Sequence, residues 1–166
     1  MIVNVLVAVD HSDASAKVVS FVGKWLSGRP QDALNITLFH VVESLPDYIV
    51  TRSAADQSAN MKEIAADWEA HNREQGEKLL ADTKKKLEEA GIPAAALKTK
   101  LATREGDPQA ARVLTALAII EEMRQGPYEL VVLGRRSATP AAESFIGSIT
   151  EKVLREARGK TVWVID

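Results

Sequence analysis

The sequence predicts an α/β domain built on a parallel sheet. Short apolar runs rich in β-branched residues alternate with longer amphipathic patterns, five of the former with four of the latter, and turn-forming residues mark the junctions. The 166 residues suit a single domain, 1–166, with one core. Apolar residues at 46% and charged residues at 27% are those of a globular chain and exclude a largely disordered one. In this architecture helices cover both faces, and ligands sit beyond the carboxyl ends of the strands where strand order reverses.

The first strand reads Ile2 to Val9, nearly continuous in apolar residues as a strand covered on both faces should be. Asp10-His11-Ser12-Asp13 is a turn of helix-capping residues, and Val18, Val22 and Trp25 then recur at helical spacing until Gly28-Arg29-Pro30. The second strand reads Leu34 to Val42. The polar stretch Glu43 to Ser58 reads as a loop, either long enough to serve as a lid or simply an insertion without function. A long helix follows from Ala59 to Ala90, its buried stripe drawn from Ile64, Trp68, Leu79, Leu80 and Leu87, and Gly91 and Pro93 end it. Trp25, Trp68 and Trp163 read as core packing residues.

Leu97 to Leu101 places lysine at alternate positions, Lys98 and Lys100, which is the pattern of a half-exposed edge strand. Gly106-Asp107-Pro108 opens a helix that runs to Arg124 and stops at Gly126-Pro127. The fourth strand reads Glu129 to Leu133, the last helix Ser148 to Ala157 and the fifth strand Thr161 to Ile165. The places to search for a ligand are therefore Asp10, the strand end at His40-Val41, and the segment after Leu133.

That segment, Gly134 to Thr150, carries most of the chemistry. Gly147-Ser148-Ile149-Thr150 puts free amides and two hydroxyls at a helix start, and Arg135 and Arg136 add charge suited to phosphate oxygens. An ordinary strand-to-helix connection with a serine cap reads the same residues equally well, and Asp10 equally reads as a helix-capping carboxylate. His11, His40 and His71 have no spacing that marks a metal site or a triad and read as structural.

These motifs together resemble the universal stress protein family over nearly the whole chain. The family pattern is a glycine, two residues, a second glycine, nine residues, then Gly-Ser or Gly-Thr. Here Gly134, Ser137 and Gly147-Ser148 stand at those distances, with Ser137 in place of the second glycine. Val7 to Ser12, Phe39-His40-Val41 and Gly106-Asp107-Pro108 resemble the family's first strand and its aspartate, its second strand end and its turn after strand three. The resemblance implies the adenine nucleotide alpha hydrolase-like fold with strand order 3-2-1-4-5, ATP (or AMP or ADP) as ligand and a stress-response or regulatory role. Carried over by position, Val41 offers its backbone to adenine, and Ala8, Val9 and Asp10 line the nucleoside pocket. Leu133, Gly134, Ser137, Gly147, Ser148, Ile149 and Thr150 hold ribose and phosphates. At Ser137, a side chain where close backbone approach is needed obstructs phosphate; otherwise its hydroxyl is one more donor. Mg²⁺ is a candidate companion of the phosphates, and no carboxylate cluster demands it.

Other classes fit less well. No Gly-x-Gly-x-x-Gly follows the first strand and no Gly-Lys-Ser/Thr loop occurs. A phosphorylated receiver domain resembles this topology but needs an aspartate where Thr103-Arg104-Glu105 stands and a lysine where the chain reaches Asp166. Asp10, Ser148 and Thr150 are the only candidates for catalysis, so slow ATP hydrolysis is the most that is expected. A net charge of -2 offers no basic field for nucleic acid, and no run approaches the ~20 apolar residues of a membrane span. With no cysteines and no basic leader before the first strand, a cytoplasmic protein is expected. Thr161 to Ile165, apolar on both faces, predicts a homodimer paired through that strand. The rival reading is a dimeric interaction protein of the same fold that no longer binds nucleotide.

Overall fold

The computed structural model describes residues 2–44, 60–105, 110–135 and 146–166. Its elements follow in the order β1 (Val3–Ala8), α1 (Asp13–Leu26), β2 (Leu34–Ser44), α2 (Asn60–Glu89), β3 (Leu97–Glu105), α3 (Ala111–Gln125), β4 (Leu130–Gly134), α4 (Ser148–Glu156) and β5 (Thr161–Ile165). The five strands form one parallel sheet in the order β3-β2-β1-β4-β5. Strand order reverses between β1 and β4, and this gap opens at the carboxyl edge.

Period-2 alternation divides the core in two. Val5 and Val7, Ile36 and Leu38, Leu130 and Val132 face α1 and α2, where Val18, Val22, Leu80 and Leu87 meet them. Leu6, Phe39, Val131 and Leu133 face the other way, onto Ile119, Ile120 and Met123 of α3 and Val153 of α4. Strands with both faces buried need nearly continuous apolar sequence, which is why β1, broken only by Asn4, and β4 were legible as apolar runs.

Several boundaries and burial expectations change. Glu43 and Ser44 belong to β2, paired with Arg104 and Glu105, because β3 itself runs four residues past Leu101; the rest of the expected loop, 45–58, lies outside the described residues, as does the Gly106-Asp107-Pro108 turn. Trp25 is 59% exposed, Ile64 52% and Trp68 38%, against the expectation of core packing. On α2 the buried line runs through Ala65, Gly76, Leu80, Thr83 and Leu87, so it includes small residues as well as large ones. Trp25 instead stacks on Phe21, with centroids 5.6 Å apart, and Phe21 meets Trp163 of β5 edge-on at 5.5 Å.

β3 occupies one edge of the sheet with Lys98 and Lys100 exposed as expected, but Thr99 between them is exposed too, so burial does not alternate there. Lys100 is nonetheless committed: its Nζ lies 2.5 Å from Oε2 of the buried Glu122, whose Oε1 accepts the Tyr128 hydroxyl at 2.7 Å. Burial first, then the Glu122 carboxylate, pushes the Tyr128 phenol up to about 12, past the opposing bond from Thr37.

Candidate functional site

The end of β1 is fixed by backbone before any side chain is placed. The Val9 amide donates to the Phe39 carbonyl at 2.9 Å, continuing the β1–β2 ladder one residue past the strand. The chain then turns, and the Asp10 amide donates to Ser15 Oγ at 2.9 Å. Asp10 Oδ1 accepts from the Ser12 amide at 2.8 Å and from the Ser12 hydroxyl. That hydroxyl in turn accepts the Ser15 amide at 3.2 Å, so Ser12 is the N-cap of α1 and Asp10 orients it. The capping reading of Asp10 is thus half right, since it acts on the helix through Ser12.

His40, 8% exposed, closes the other side. Its Nδ1 lies 2.8 Å from the Val9 carbonyl, which can only accept, so Nδ1 carries the proton and neutral His40 keeps its lone pair on Nε2. The His11 ring stands perpendicular to it at 5.7 Å. Burial holds His40 below its ordinary value of 6.5; the bond to Val9 and the Asp10 charge oppose this, and His11 adds to it. A histidine whose folded value is depressed binds its proton more readily in the unfolded chain. Stability is therefore expected to be full above pH 6.5 and to fall as pH drops below it. His40→Asn, which can keep a donor near the Val9 carbonyl without titrating, should flatten that fall in urea titrations run from pH 7 to pH 5. Parallel wild-type and variant curves would show that another group is responsible.

Between these groups a cleft of about 310 Å³ opens at the carboxyl edge across β2, β1 and β4. Of the residues singled out in the sequence, Ala8, Val9, Asp10 and Val41 line it from β1 and β2. Leu133 and Gly134 line it from β4, and Ile149 and Thr150 from the start of α4. Gly147, the N-cap of α4, and the exposed Ser148 stand at that helix start without lining the cleft. Arg136 and Ser137 lie outside the described residues.

Two expected phosphate contacts are already engaged. The Thr150 hydroxyl, buried, donates to the Gly134 carbonyl at 3.0 Å and ties α4 to the end of β4. Arg135 turns to the sheet edge, where its Nη1 lies 2.7 Å from Asp166 Oδ2. Gly134 has a packing role beside any ligand role: a Cβ there would come 3.1 Å from Ala14 Cβ and 3.2 Å from the Ala14 carbonyl.

The sequence pointed to the strand end at His40-Val41 but read His40 and His11 as structural, and it missed Glu43 at the end of β2 and Arg112, Thr115 and Ile119 of α3; all of these line the cleft. His40 was recoverable, since it adjoins Val41 at a strand end. The α3 residues were not, because only the folded chain brings a helix from beyond β3 over β1 and β4. Among the described residues no three His, Asp or Glu side chains gather as metal ligands, and no helix is long and apolar enough to cross a membrane.

The chain shares its fold with several solved structures. Hypothetical protein MJ0577, from a study of structure-based assignment of biochemical function, matches with a TM-score of 0.69 at 17% identity, over 98% of this chain and 94% of that one. A universal stress protein from Archaeoglobus fulgidus matches with a TM-score of 0.60 at 16% identity, over 100% and 95%. A universal stress protein in complex with cAMP matches with a TM-score of 0.55 at 16% identity, over 99% and 96%. No curated protein matches the sequence. The family model described as the universal stress protein family matches residues 1–165, and the chain belongs to that family.

Proposed function

We propose that this chain, as one domain spanning 1–166, is a nucleotide-binding regulatory protein of the stress response that holds an adenine nucleotide, ATP in the first instance, in the cleft at the carboxyl edge of its sheet. The observation that carries this is the convergence of Val41, Asp10, Gly134 and Ile149, far apart in sequence, on one cleft. The donor set fits such a ligand. Phe39, Val9, Leu133 and Ile149 offer apolar walls for a base, Asp10 an acceptor for a sugar hydroxyl, and the start of α4 backbone amides for an anion. The solved relative with cAMP bound supports the class of ligand. Nucleotide binding, with at most slow hydrolysis, is the activity of this site. The protein works in the cytoplasm.

The second reading, an interaction protein of the same fold without nucleotide, has its own support: Arg135 and the Thr150 hydroxyl are already occupied. Both readings include a dimer paired through β5, whose half-buried edge is flanked by the Phe21, Trp25 and Trp163 rings. A monomer by light scattering at micromolar concentration would remove the dimer. Denaturing protein purified without added nucleotide and identifying what it releases, then titrating emptied protein with ATP by calorimetry, decides between the readings. Released ATP or ADP, or saturable heat, establishes the nucleotide site. Neither release nor heat at millimolar ATP leaves the interaction protein.

A further inference from the structure

We infer that Arg112, with Thr115 one turn along α3, contacts the anionic group of the bound ligand; this rests on the nucleotide reading and assigns that reading its missing cation. Among the described residues lining the cleft, Arg112 is the one lysine or arginine, while Asp10 and Glu43 line it as carboxylates. Without Arg112, an anion entering between the described walls meets formal charge of its own sign. Its neighbours in the fold are spent elsewhere: Arg104 on Glu121, Arg124 on Glu156, Arg135 on Asp166 and Arg155 on Glu151. Arg112 is exposed and has no ion pair or hydrogen bond among the described residues.

Position agrees with charge. Arg112, Thr115 and Ile119 fall at i, i+3 and i+7 and all line the cleft, so a single face of α3 forms its wall. α3 and α4 each run back from the carboxyl edge to the next strand of a parallel sheet, so they point the same way, and Arg124 and Glu156 tie them near their carboxyl ends. Arg112, in the first turn of α3, and Ile149 and Thr150, at the start of α4, therefore line one cleft from the same edge of the sheet. Helical side chains lean toward their own N-terminus, which carries the guanidinium toward the mouth. There it can present paired N–H donors to a phosphate, with the Thr115 hydroxyl a further donor below it.

The test is calorimetry on the full chain with adenosine, AMP and ATP, comparing wild type with Arg112→Gln. Adenosine affinity should stay within about twofold, while AMP and ATP weaken about tenfold, as loss of a charge-assisted pair requires. Arg112→Lys should recover part of the loss. Arg158→Gln makes the same change of charge at an exposed position that does not line the cleft and should leave all three ligands within about twofold. Thermal melting of Arg112→Gln near wild type confirms an intact fold, as its exposure leads one to expect. Unchanged AMP and ATP binding in Arg112→Gln overturns the inference and leaves the nucleotide reading standing. Equal weakening of adenosine and AMP also overturns it, since α3 packing is then what changed. Failure of wild type to bind any of the three overturns both.

Discussion

Replacing Phe39 by alanine is expected to lower stability by about 3–5 kcal/mol, the range for deleting a fully buried aromatic ring. Phe39 is among the largest fully buried side chains, and it sits in the cluster between the sheet and α3 and α4. It also lines the cleft, so its ring is at once core and wall. Collapse cannot refill the space cheaply, because β2 is held between β1 and β3 in fixed register. The carbonyl of the same residue receives the Val9 amide, so relaxation of β2 here would also move the turn that carries Asp10. Urea titration should show a lower midpoint with an unchanged slope. Phe39→Leu should cost far less, within about 1.5 kcal/mol, if volume is what matters. A loss below about 1 kcal/mol for alanine would mean that Ile119 and its neighbours close the cavity.

The strands were legible because burial on both faces leaves a plain mark, a nearly continuous apolar run rich in β-branched residues such as Ile2 to Val9. The edge position of β3 was legible from Lys98 and Lys100 for the complementary reason. The strand order was not readable from the residues themselves and came with the family resemblance. Helix faces were read worst, because a stripe drawn from large apolar residues assumes that large residues mark closest contact. On α2 the buried positions include the small Ala65 and Gly76, with the sheet pressed close at Gly76, while Ile64 and Trp68 are exposed. The same limit applied at the cleft. Its strand-end residues could be placed by topology alone. That Thr150 spends its hydroxyl on Gly134, that Arg135 turns to Asp166, and that Arg112 arrives from another helix depend on distances no linear pattern contains.

Gly76→Val is expected to cost about 2–3 kcal/mol, although glycine in a helix interior is ordinarily about 1 kcal/mol worse than alanine. α2 lies so close to the sheet here that a Cβ would come 2.8 Å from Leu101 Cδ1, 2.9 Å from Val42 Cγ1 and 3.0 Å from His40 Cδ2. The tip of Leu101 can rotate away. Val42 is buried and stiff at χ1, and His40 is anchored to the Val9 carbonyl, so neither yields cheaply. The helix must lift or the imidazole must move. Gly76→Ala sets the same clash against its propensity gain and should be neutral to moderately destabilising, whereas Asp82→Ala on the exposed face of α2 should be neutral or better. A second readout separates packing from helix propensity. If His40 is displaced, it loses the burial that depresses its titration, and its imidazole pKa by NMR should move back toward 6.5 in the valine variant. A Gly76→Ala protein more stable than wild type, with His40 unmoved, would show that α2 has slack at this crossing and that the glycine is only a helix weakness.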